Sequence, residues 1–465
     1  MLRTALLILS GNAAASLLLL ARNLIVARMI PVADYGIAAT FALAMAVVEM
    51  ASAFGLQQQI VQSKDGDDPR FQAALQGFQL LRGVASGVVL FLLAGPLARF
   101  MGIPEVIWAY QVLAVVPVLN ALVHFDIHRM NRQMQFGPLL MTGAMPAVVA
   151  LALVWPLSVW FGDWRVMLWS ILAQSGISVL TSHLMAERPY RLAWDKTIVA
   201  GSLRFGWPLL VNAVLMFAVF QGDKLIVGRV MGMEALAIFA MGVTLTLTPT
   251  LVLAKSAQNI FLPKLSQLAE NPAFSMTAQQ TMQTVSLAAL LFTLATLLIG
   301  GPVVTLLLGT KYATLLPLLI WFAVTQALRV MKAGPAIVAL ALGHTTNPMV
   351  ANIVRVITLP LAWLLALQGG GLQDILMVAL VGEGLGLIVS ILLLVRHLPL
   401  PRTKVLGQQT IIVALILAAG AWSWYQPPGA DIASWPEWLF CSLALLFALA
   451  IMPETARGIC RMRIR

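Results

Sequence analysis

The sequence predicts an all-α polytopic membrane protein, and three observations predict it. Of 465 residues, 60% are hydrophobic and only 10% charged, whereas a soluble domain carries about a quarter charged residues. No soluble domain of this length has a core large enough for so much apolar surface, so lipid must supply the remaining contact. The apolar residues come in runs of about 18–25, the length that crosses ~30 Å of hydrocarbon as a helix. The ten-residue alternation of an outer-membrane barrel is absent.

About fourteen spans are expected, near residues 4–27, 37–54, 77–98, 106–124, 138–160, 166–184, 205–227, 235–256, 279–300, 315–334, 348–367, 373–395, 409–425 and 437–452. The first is read as a spanning helix, not a signal peptide. Ala13 to Ala15 imitate a cleavage site, but Ala5 to Leu9 is too short for an h-region and the apolar run continues through Leu17 to Leu20. The ninth and tenth are barely separated, by Gly309 to Tyr312.

An even number of spans puts both termini on one side. On this layout one set of loops and tails carries roughly eighteen Lys and Arg, among them Lys64, Arg129, Arg188 and Lys264. The opposite set holds five: Arg28, Arg99, Arg165, Arg229 and Lys311. The positive-inside rule then places both termini in the cytoplasm, in a bacterial inner membrane. Trp424, Tyr425, Trp435 and Trp438 flank the longest outer loop as an interfacial aromatic belt should. The net charge of +11 sits mostly in short loops, so it reads as topology and not as nucleic-acid binding. Cys441 and Cys460 make no disulfide framework, and the five His have no ligand spacing. Loops run to about 20 residues, too short to fold alone, so any function is housed in the membrane.

An internal repeat organises the chain. Residues 24–28 read Leu-Ile-Val-Ala-Arg and residues 225–229 read Leu-Ile-Val-Gly-Arg. Asn12 and Asn212 lie upstream, and Gln58-Gln59-Ile60 and Gln258-Asn259-Ile260 downstream, at the same offset near 200 residues. Six spans separate the two patches, so the halves share an orientation about a pseudo-twofold axis along the membrane normal. The expected division is an N-lobe over 1–200 with six spans and a C-lobe over 201–400 with six more. Residues 401–465 add two spans and a basic cytoplasmic tail.

A charge at the bilayer centre costs at least ~2.5–3.5 kcal/mol, so intramembrane charges are functional candidates. On this layout Arg22 and Asn23 lie deep in the first span, Arg28 near its outer end and Arg82 in the third. Asp223 and Lys224 lie near the outer end of the seventh and Arg355 in the eleventh. Arg329 and Lys332, three apart, share one face of the tenth. The acids within spans are Glu49, Asp223 and Glu383. Cations outnumber acids, which favours an anionic substrate, and the planar arginine fork grips phosphate oxygens in pairs.

Each charge also has a plainer reading. Arg28, Lys224 and Arg229 reach the outer interface by snorkelling, and Arg82 reaches the inner headgroups. Asp223 beside Lys224 reads equally as a structural pair. Arg329, Lys332 and Arg355 reach cytoplasmic headgroups if their spans shift by a turn. Arg22 resists such a reading, with apolar residues over most of a span on one side. Gln174, Ser175, Asn212, Gln221, Thr244, Thr246, Thr248, Gln326 and Asn352 fit either a wet cavity or hydrogen bonds between helices. Pro146, Pro156, Pro249 and Pro360 are placed to kink spans. Glu49, Asp223 and Glu383 are candidates for H+ or Na+ coupling, since buried carboxylates change charge readily. No Gly-rich stretch ends in Gly-Lys-Ser/Thr, so ATP does not drive transport through this chain alone.

Five segments carry a family resemblance: Val26-Ala-Arg-Met-Ile-Pro-Val-Ala-Asp-Tyr-Gly36, Phe54-Gly-Leu-Gln-Gln-Gln-Ile-Val-Gln-Ser-Lys-Asp65, Arg204-Phe-Gly-Trp-Pro-Leu-Leu-Val-Asn212, Gly222-Asp-Lys-Leu-Ile-Val-Gly-Arg229 and Phe261-Leu-Pro-Lys-Leu-Ser266. In order and spacing they resemble the Wzx-type flippases of bacterial surface-polysaccharide synthesis. These belong to the multidrug/oligosaccharidyl-lipid/polysaccharide exporter superfamily, with the MATE exporters and the lipid II flippase. The resemblance covers roughly residues 1–400, and it departs from the family at Ile30, where Leu is usual. It implies a two-lobed bundle that alternates between inward-open and outward-open forms around a cation-lined cavity. The implied cargo is undecaprenyl-pyrophosphate-linked oligosaccharide, moved to the periplasmic leaflet for O-antigen or exopolysaccharide assembly. The implied partners are membrane lipids, a polysaccharide polymerase and a chain-length regulator, with no nucleic acid and no cofactor. A cation-coupled drug or small-molecule exporter on the same fold is the alternative, though such a protein calls for an acid-rich cavity. A membrane polymerase or ligase calls for a large periplasmic loop that this chain lacks, and a scaffold gains nothing from buried charge. The expected protein is therefore not an enzyme.

Overall fold

The computed structural model describes residues 2–51, 54–268, 271–344, 346–397, 402–426, 429 and 433–452. The expected basic tail, with Cys460, lies outside the described residues.

Among the described residues the chain is helical, with no strand. The first part runs through α1 (Leu2–Met29), α2 (Val32–Ala51), the short α3 (Leu56–Gln62), α4 (Pro69–Phe100), α5 (Ile107–Leu113), α6 (Val115–Ala121), the short α7 (Asp126–Arg132), α8 (Gly137–Phe161) and α9 (Arg165–Met185). There follow α10 (Lys196–Met231), α11 (Met233–Gln267), α12 (Ala273–Leu308), α13 (Leu316–Ala341), α14 (Thr346–Ile357), α15 (Leu359–Leu367), α16 (Leu372–His397), α17 (Arg402–Tyr425) and α18 (Trp435–Ile451).

The expected spans fall on these helices, two of them each on a consecutive pair, except that residues 52–53 of the second lie outside the described residues. Among the described residues, eleven helical stretches are long and apolar enough to cross a membrane. α18 is a shorter apolar helix, and α1 and α9 fall outside the eleven. In α9 the reason is composition, since Ser170, Gln174, Ser175, Ser178, Thr181 and Ser182 dilute its hydropathy. The helices also overrun the expected bounds, because their caps lie in the loops. Asp68 caps α4 through the Arg70 N–H at 3.0 Å with Pro69 in the first turn, and Asp195 caps α10 through Thr197 and Ile198. Two expected spans are broken. The fourth is divided at Ala114, and the eleventh at Thr358, just before Pro360, which has no N–H to continue a helix.

The chain forms two compact units. The first takes in residues through Gln221 together with Met231–Ala237; the second takes in Gly222–Val230 and residues from Ile238 onward. In the first, α8 packs on α1 and α9, and α4 on α5 and α6. Phe41 meets Tyr110 and Trp164 edge-to-face at 5.5 and 5.7 Å, and the Tyr110 hydroxyl donates to Thr40 Oγ1 at 2.5 Å. Gly83 lets α4 approach α6 closely: a Cβ there would overlap the Ala121 methyl and stand 2.7 Å from the Pro117 carbonyl. In the second, α13 packs between α12, α16 and α17. Gln283 donates to Gln408 at 3.2 Å and Ser286 to Gln409 at 2.8 Å, tying α12 to α17 through buried amides. Trp160 is 83% exposed and Leu446 65%; such side chains need a lipid solvent.

Outside the spans, α7 carries a polar clasp. Arg129 donates to Asp126 at 2.5 Å and to Glu187 at 2.9 Å, while the Glu187 and Arg188 N–H groups donate to Asp126 at 2.8 and 3.1 Å. Burial works to raise the Asp126 pKa, but these donors outweigh it and hold the carboxyl below its usual range. Burial pushes His128 down to about 4 and also lowers His124, with His183 adding to the effect.

The sign of the pH dependence follows. A histidine held low in the fold is protonated first in the unfolded chain, whose His pKa is about 6.5. The unfolded state then binds more protons, so stability is lost as pH falls from about 6.5 toward 4, by at most ~3 kcal/mol for His128. His128→Phe should shallow the loss in thermal unfolding of detergent-solubilised protein; an unchanged slope would show that His128 titrates normally.

Candidate functional site

The sequence candidates fall into two groups, one in each unit. In the second unit, α13 brings Arg329 and Lys332 on one face, α14 brings Asn352 and Arg355, α16 brings Glu383 and the end of α10 brings Asp223. Glu383 is the hub. Its Oε1 accepts from Arg329 Nε at 2.9 Å and Nη2 at 2.6 Å, and its Oε2 from Lys332 Nζ at 2.8 Å. Arg355 Nε stands 3.6 Å from Oε1, close enough for charge attraction but too far for a hydrogen bond. Arg355 Nη2 donates to Asp223 Oδ2, and its Nη1 donates to Thr358 Oγ1 at 2.9 Å. Lys332 also donates to Asn352 at 3.0 Å, and Arg329 to Gln326 at 3.1 Å. Glu383 and Arg355 are both 0% exposed. Lys224 lies within electrostatic reach of Arg329 and Asp223.

Local sequence explains how five charges fit in one place. Glu383 sits within Gly382-Glu-Gly-Leu-Gly386, where a Cβ on Gly382 would stand 2.9 Å from Arg355 Cδ and one on Gly386 2.8 Å from the Ala351 carbonyl. Bare backbone on α16 makes the room that the Arg355 side chain fills. Arg355 lies in the last turn of α14, and the Thr358 hydroxyl at the break returns a hydrogen bond to its carbonyl at 2.7 Å. Broken helices at such depth are tolerated where side chains satisfy the freed backbone groups.

In the first unit, Arg22 is 8% exposed. It donates to Gln174 of α9 at 2.6 Å and to its neighbour Asn23 at 3.1 and 3.3 Å. These partners are neutral amides, so they orient the guanidinium without cancelling its charge. Arg28 is exposed in the last turn of α1. Glu49 and Arg82 line a cavity of about 670 Å³ with Gln79, Asn120, His128 and Thr142. Asn120 Nδ2 donates to Glu49 at 3.5 Å, Gln79 reaches the Asn120 and Ala121 carbonyls at 3.3 and 3.4 Å, and Arg82 attracts Glu49 electrostatically.

Other polar candidates have separate roles. The Thr244, Thr246 and Thr248 hydroxyls each donate to the carbonyl four residues back, at 2.7, 2.7 and 3.0 Å. Gln174, Gln326 and Asn352 accept from Arg22, Arg329 and Lys332. The cavity residues Gln79, Asn120, His128 and Thr142 were not among the candidates. For α4 a signal exists: Gln72, Gln76, Gln79 and Ser86 recur with helical period beside Arg82 in an otherwise apolar run.

Comparisons with known proteins agree with this architecture. The family model described as "Polysaccharide biosynthesis protein" matches residues 25–317. The succinoglycan biosynthesis transport protein ExoT of Rhizobium meliloti (strain 1021) is 24% identical over 250 residues, which cover 51% of this chain and 49% of ExoT. The match thus spans about half the length of that relative. Among solved structures, the lipid II flippase MurJ in an inward closed conformation aligns over 99% of this chain and 100% of its own, with a TM-score of 0.71 at 15% identity. A multidrug resistance MATE family transporter of the MOP superfamily, inward-facing, covers 82% and 95% with a TM-score of 0.61 at 14% identity. At these identities the likeness is one of fold.

Glu383→Gln should leave the cations of the cluster short of a buried counter-charge and destabilise the protein by about 3–5 kcal/mol. The check is the thermal unfolding midpoint in detergent, with Lys332→Gln made in both backgrounds. Lys332→Gln is expected to cost less beside Glu383→Gln than alone; equal costs would mean that the two residues act independently.

Proposed function

The chain belongs to the polysaccharide biosynthesis protein family, and on that premise we propose that it is a flippase. It moves an undecaprenyl-pyrophosphate-linked oligosaccharide from the cytoplasmic to the periplasmic leaflet of the inner membrane by alternating access. The observation that carries the reading is the cation surplus of the buried cluster. Arg329, Lys332 and Arg355 stand against Asp223 and Glu383, a formal +3 − 2 = +1, and Lys224 lies within electrostatic reach as a further cation. An organic cation gains nothing there, whereas a diphosphate, with its charge of about −2, complements it. Arg22, held by amides and not by a carboxylate, adds a further cation in the first unit.

The chemistry follows from competition. Diphosphate oxygens displace Glu383 and Asp223 from the guanidinium and ammonium groups, and arginine forks bind them in pairs. The displaced carboxylates then take up H+ or Na+, which couples substrate movement to a cation gradient. The polar faces supply hydrogen bonds to the sugars, and the polyprenyl chain stays in apolar surroundings.

The test is mass spectrometry of polyprenyl-linked lipids in cells with and without the protein. Its loss should cause one lipid-linked oligosaccharide to accumulate; an unchanged profile, in cells with no second flippase, would favour the small-molecule exporter. Arg22→Ala, inserted at wild-type level, should lower transport by about tenfold or more, as expected for loss of a charge-assisted hydrogen bond worth ~1.5–3 kcal/mol. Surface polysaccharide made at the normal rate in that variant would remove Arg22 from the transport path.

A further inference from the structure

A second cavity lies against the first, and its character is opposite. It measures about 530 Å³ and is lined between α2 and α4 by apolar side chains, among them Val47, Val89, Leu90, Leu93 and Phe100. Val48, Arg82 and Ser86 line both cavities, so the two adjoin at these three residues. Both volumes fall within the ~300–1,000 Å³ typical of small-molecule sites. All of these residues belong to the first unit.

Resting on the flippase reading above, we propose that this paired cavity is a binding station for the junction of the lipid-linked substrate. The apolar half takes the first isoprene units of the polyprenyl chain, Arg82 meets the diphosphate, and the polar half takes the sugar. Three observations on the two cavities carry this assignment. A prenyl-diphosphate-sugar is apolar, anionic and polyhydroxylated in that order, and the lining changes in that order along α4, from Leu93 and Val89 through Ser86 and Arg82 to Gln79. The polar half supplies both kinds of partner a hydroxyl needs, since the Asn120 amide has a second hydrogen beyond the one it gives Glu49 and the Glu49 carboxylate has further lone pairs. Glu49 also offsets the Arg82 charge until a diphosphate competes for it. Gln57, Gln58 and His128, which also line the polar half, belong to α3 and α7, in loops that the Lys and Arg distribution assigns to the cytoplasm. The station therefore sits at the loading end of the path.

The experiment uses the full-length protein in phosphatidylethanolamine–phosphatidylglycerol nanodiscs, with undecaprenyl diphosphate and inorganic diphosphate as probes. Val89→Trp fills the apolar half from a position that is 51% exposed, so the core is not disturbed. Leu93→Trp, 48% exposed, is the second variant should the first misfold. Loss of buried isoprene surface should weaken undecaprenyl diphosphate about tenfold or more while inorganic diphosphate binds as before. Arg82→Gln should weaken both probes. A folded Val89→Trp protein that binds undecaprenyl diphosphate with wild-type affinity would overturn this assignment and leave the flippase reading standing. Equal displacement of undecaprenyl diphosphate by dioleoyl phosphatidylglycerol would also overturn it, marking a slot for any anionic lipid. Wild-type protein that binds neither diphosphate would instead remove the flippase reading on which the assignment rests.

Discussion

A carboxylate placed in a lipid-surrounded helix bundle must be matched by cations if it is to stay charged, because otherwise it takes up a proton. Glu383, with no exposed surface, meets that requirement through Arg329 and Lys332 at hydrogen-bond distance and Arg355 just beyond. The consequences spread through the second unit. α13 must present two cations on one face, α14 must end near Arg355, and α16 must be stripped to glycine on either side of its acid. The break at Thr358 belongs to the same solution, because the residue that interrupts the helix also accepts from Arg355. Asp223 then brings the end of α10 into the network. The register of four helices follows from one buried charge.

The first unit handles its buried cation differently. Arg22 is satisfied by Gln174 and Asn23, which orient it and leave its charge intact. A guanidinium with amide partners is poised for an anion, whereas one paired to a carboxylate must first exchange partners. Arg22 and the Glu383 cluster thus offer two kinds of cation. One is available at once, and the others become available only when an anion competes with a carboxylate. In a low-dielectric medium such competition is steep, since each charge separation is energetically large.

The elements were legible in the sequence because each is a local pattern. Long apolar runs set the helices, and the Asp68-Pro69 and Asp195 caps, once sought, explain why α4 and α10 start well before their apolar stretches. The candidate charges were also legible, because charge in an apolar run is conspicuous. Their partners were not. Glu383 and Arg329 are 54 residues apart and Asp223 and Arg355 132 apart, and nothing local encodes those pairings. Reading Arg329, Lys332 and Arg355 as one list and the acids as another separated groups that the fold joins. The Thr244, Thr246 and Thr248 hydroxyls each find an acceptor in their own backbone, a pairing that the residue types alone do not reveal. The division at Thr358 was half legible, since Pro360 marked the place but not the role of the residue before it.

Stability alone does not explain the cluster. Replacing a buried ion network with well-packed apolar side chains of similar volume is often neutral or stabilising, and in a membrane the surrounding lipid makes an apolar solution still easier to reach. The flippase reading gives the meeting of Arg329, Lys332, Arg355, Asp223 and Glu383 a use besides folding. What a charge network has that an apolar core lacks is the ability to exchange partners while remaining neutralised. The surplus of cations fixes which partner is welcome: an anion can replace a carboxylate without leaving a bare positive charge, whereas a cation entering the same place would only add to the repulsion. On the flippase reading the selectivity of the cluster lies in its count of charges, and the Gly382–Gly386 stretch, by letting α14 and α16 approach closely, is the feature of the sequence that makes room for them.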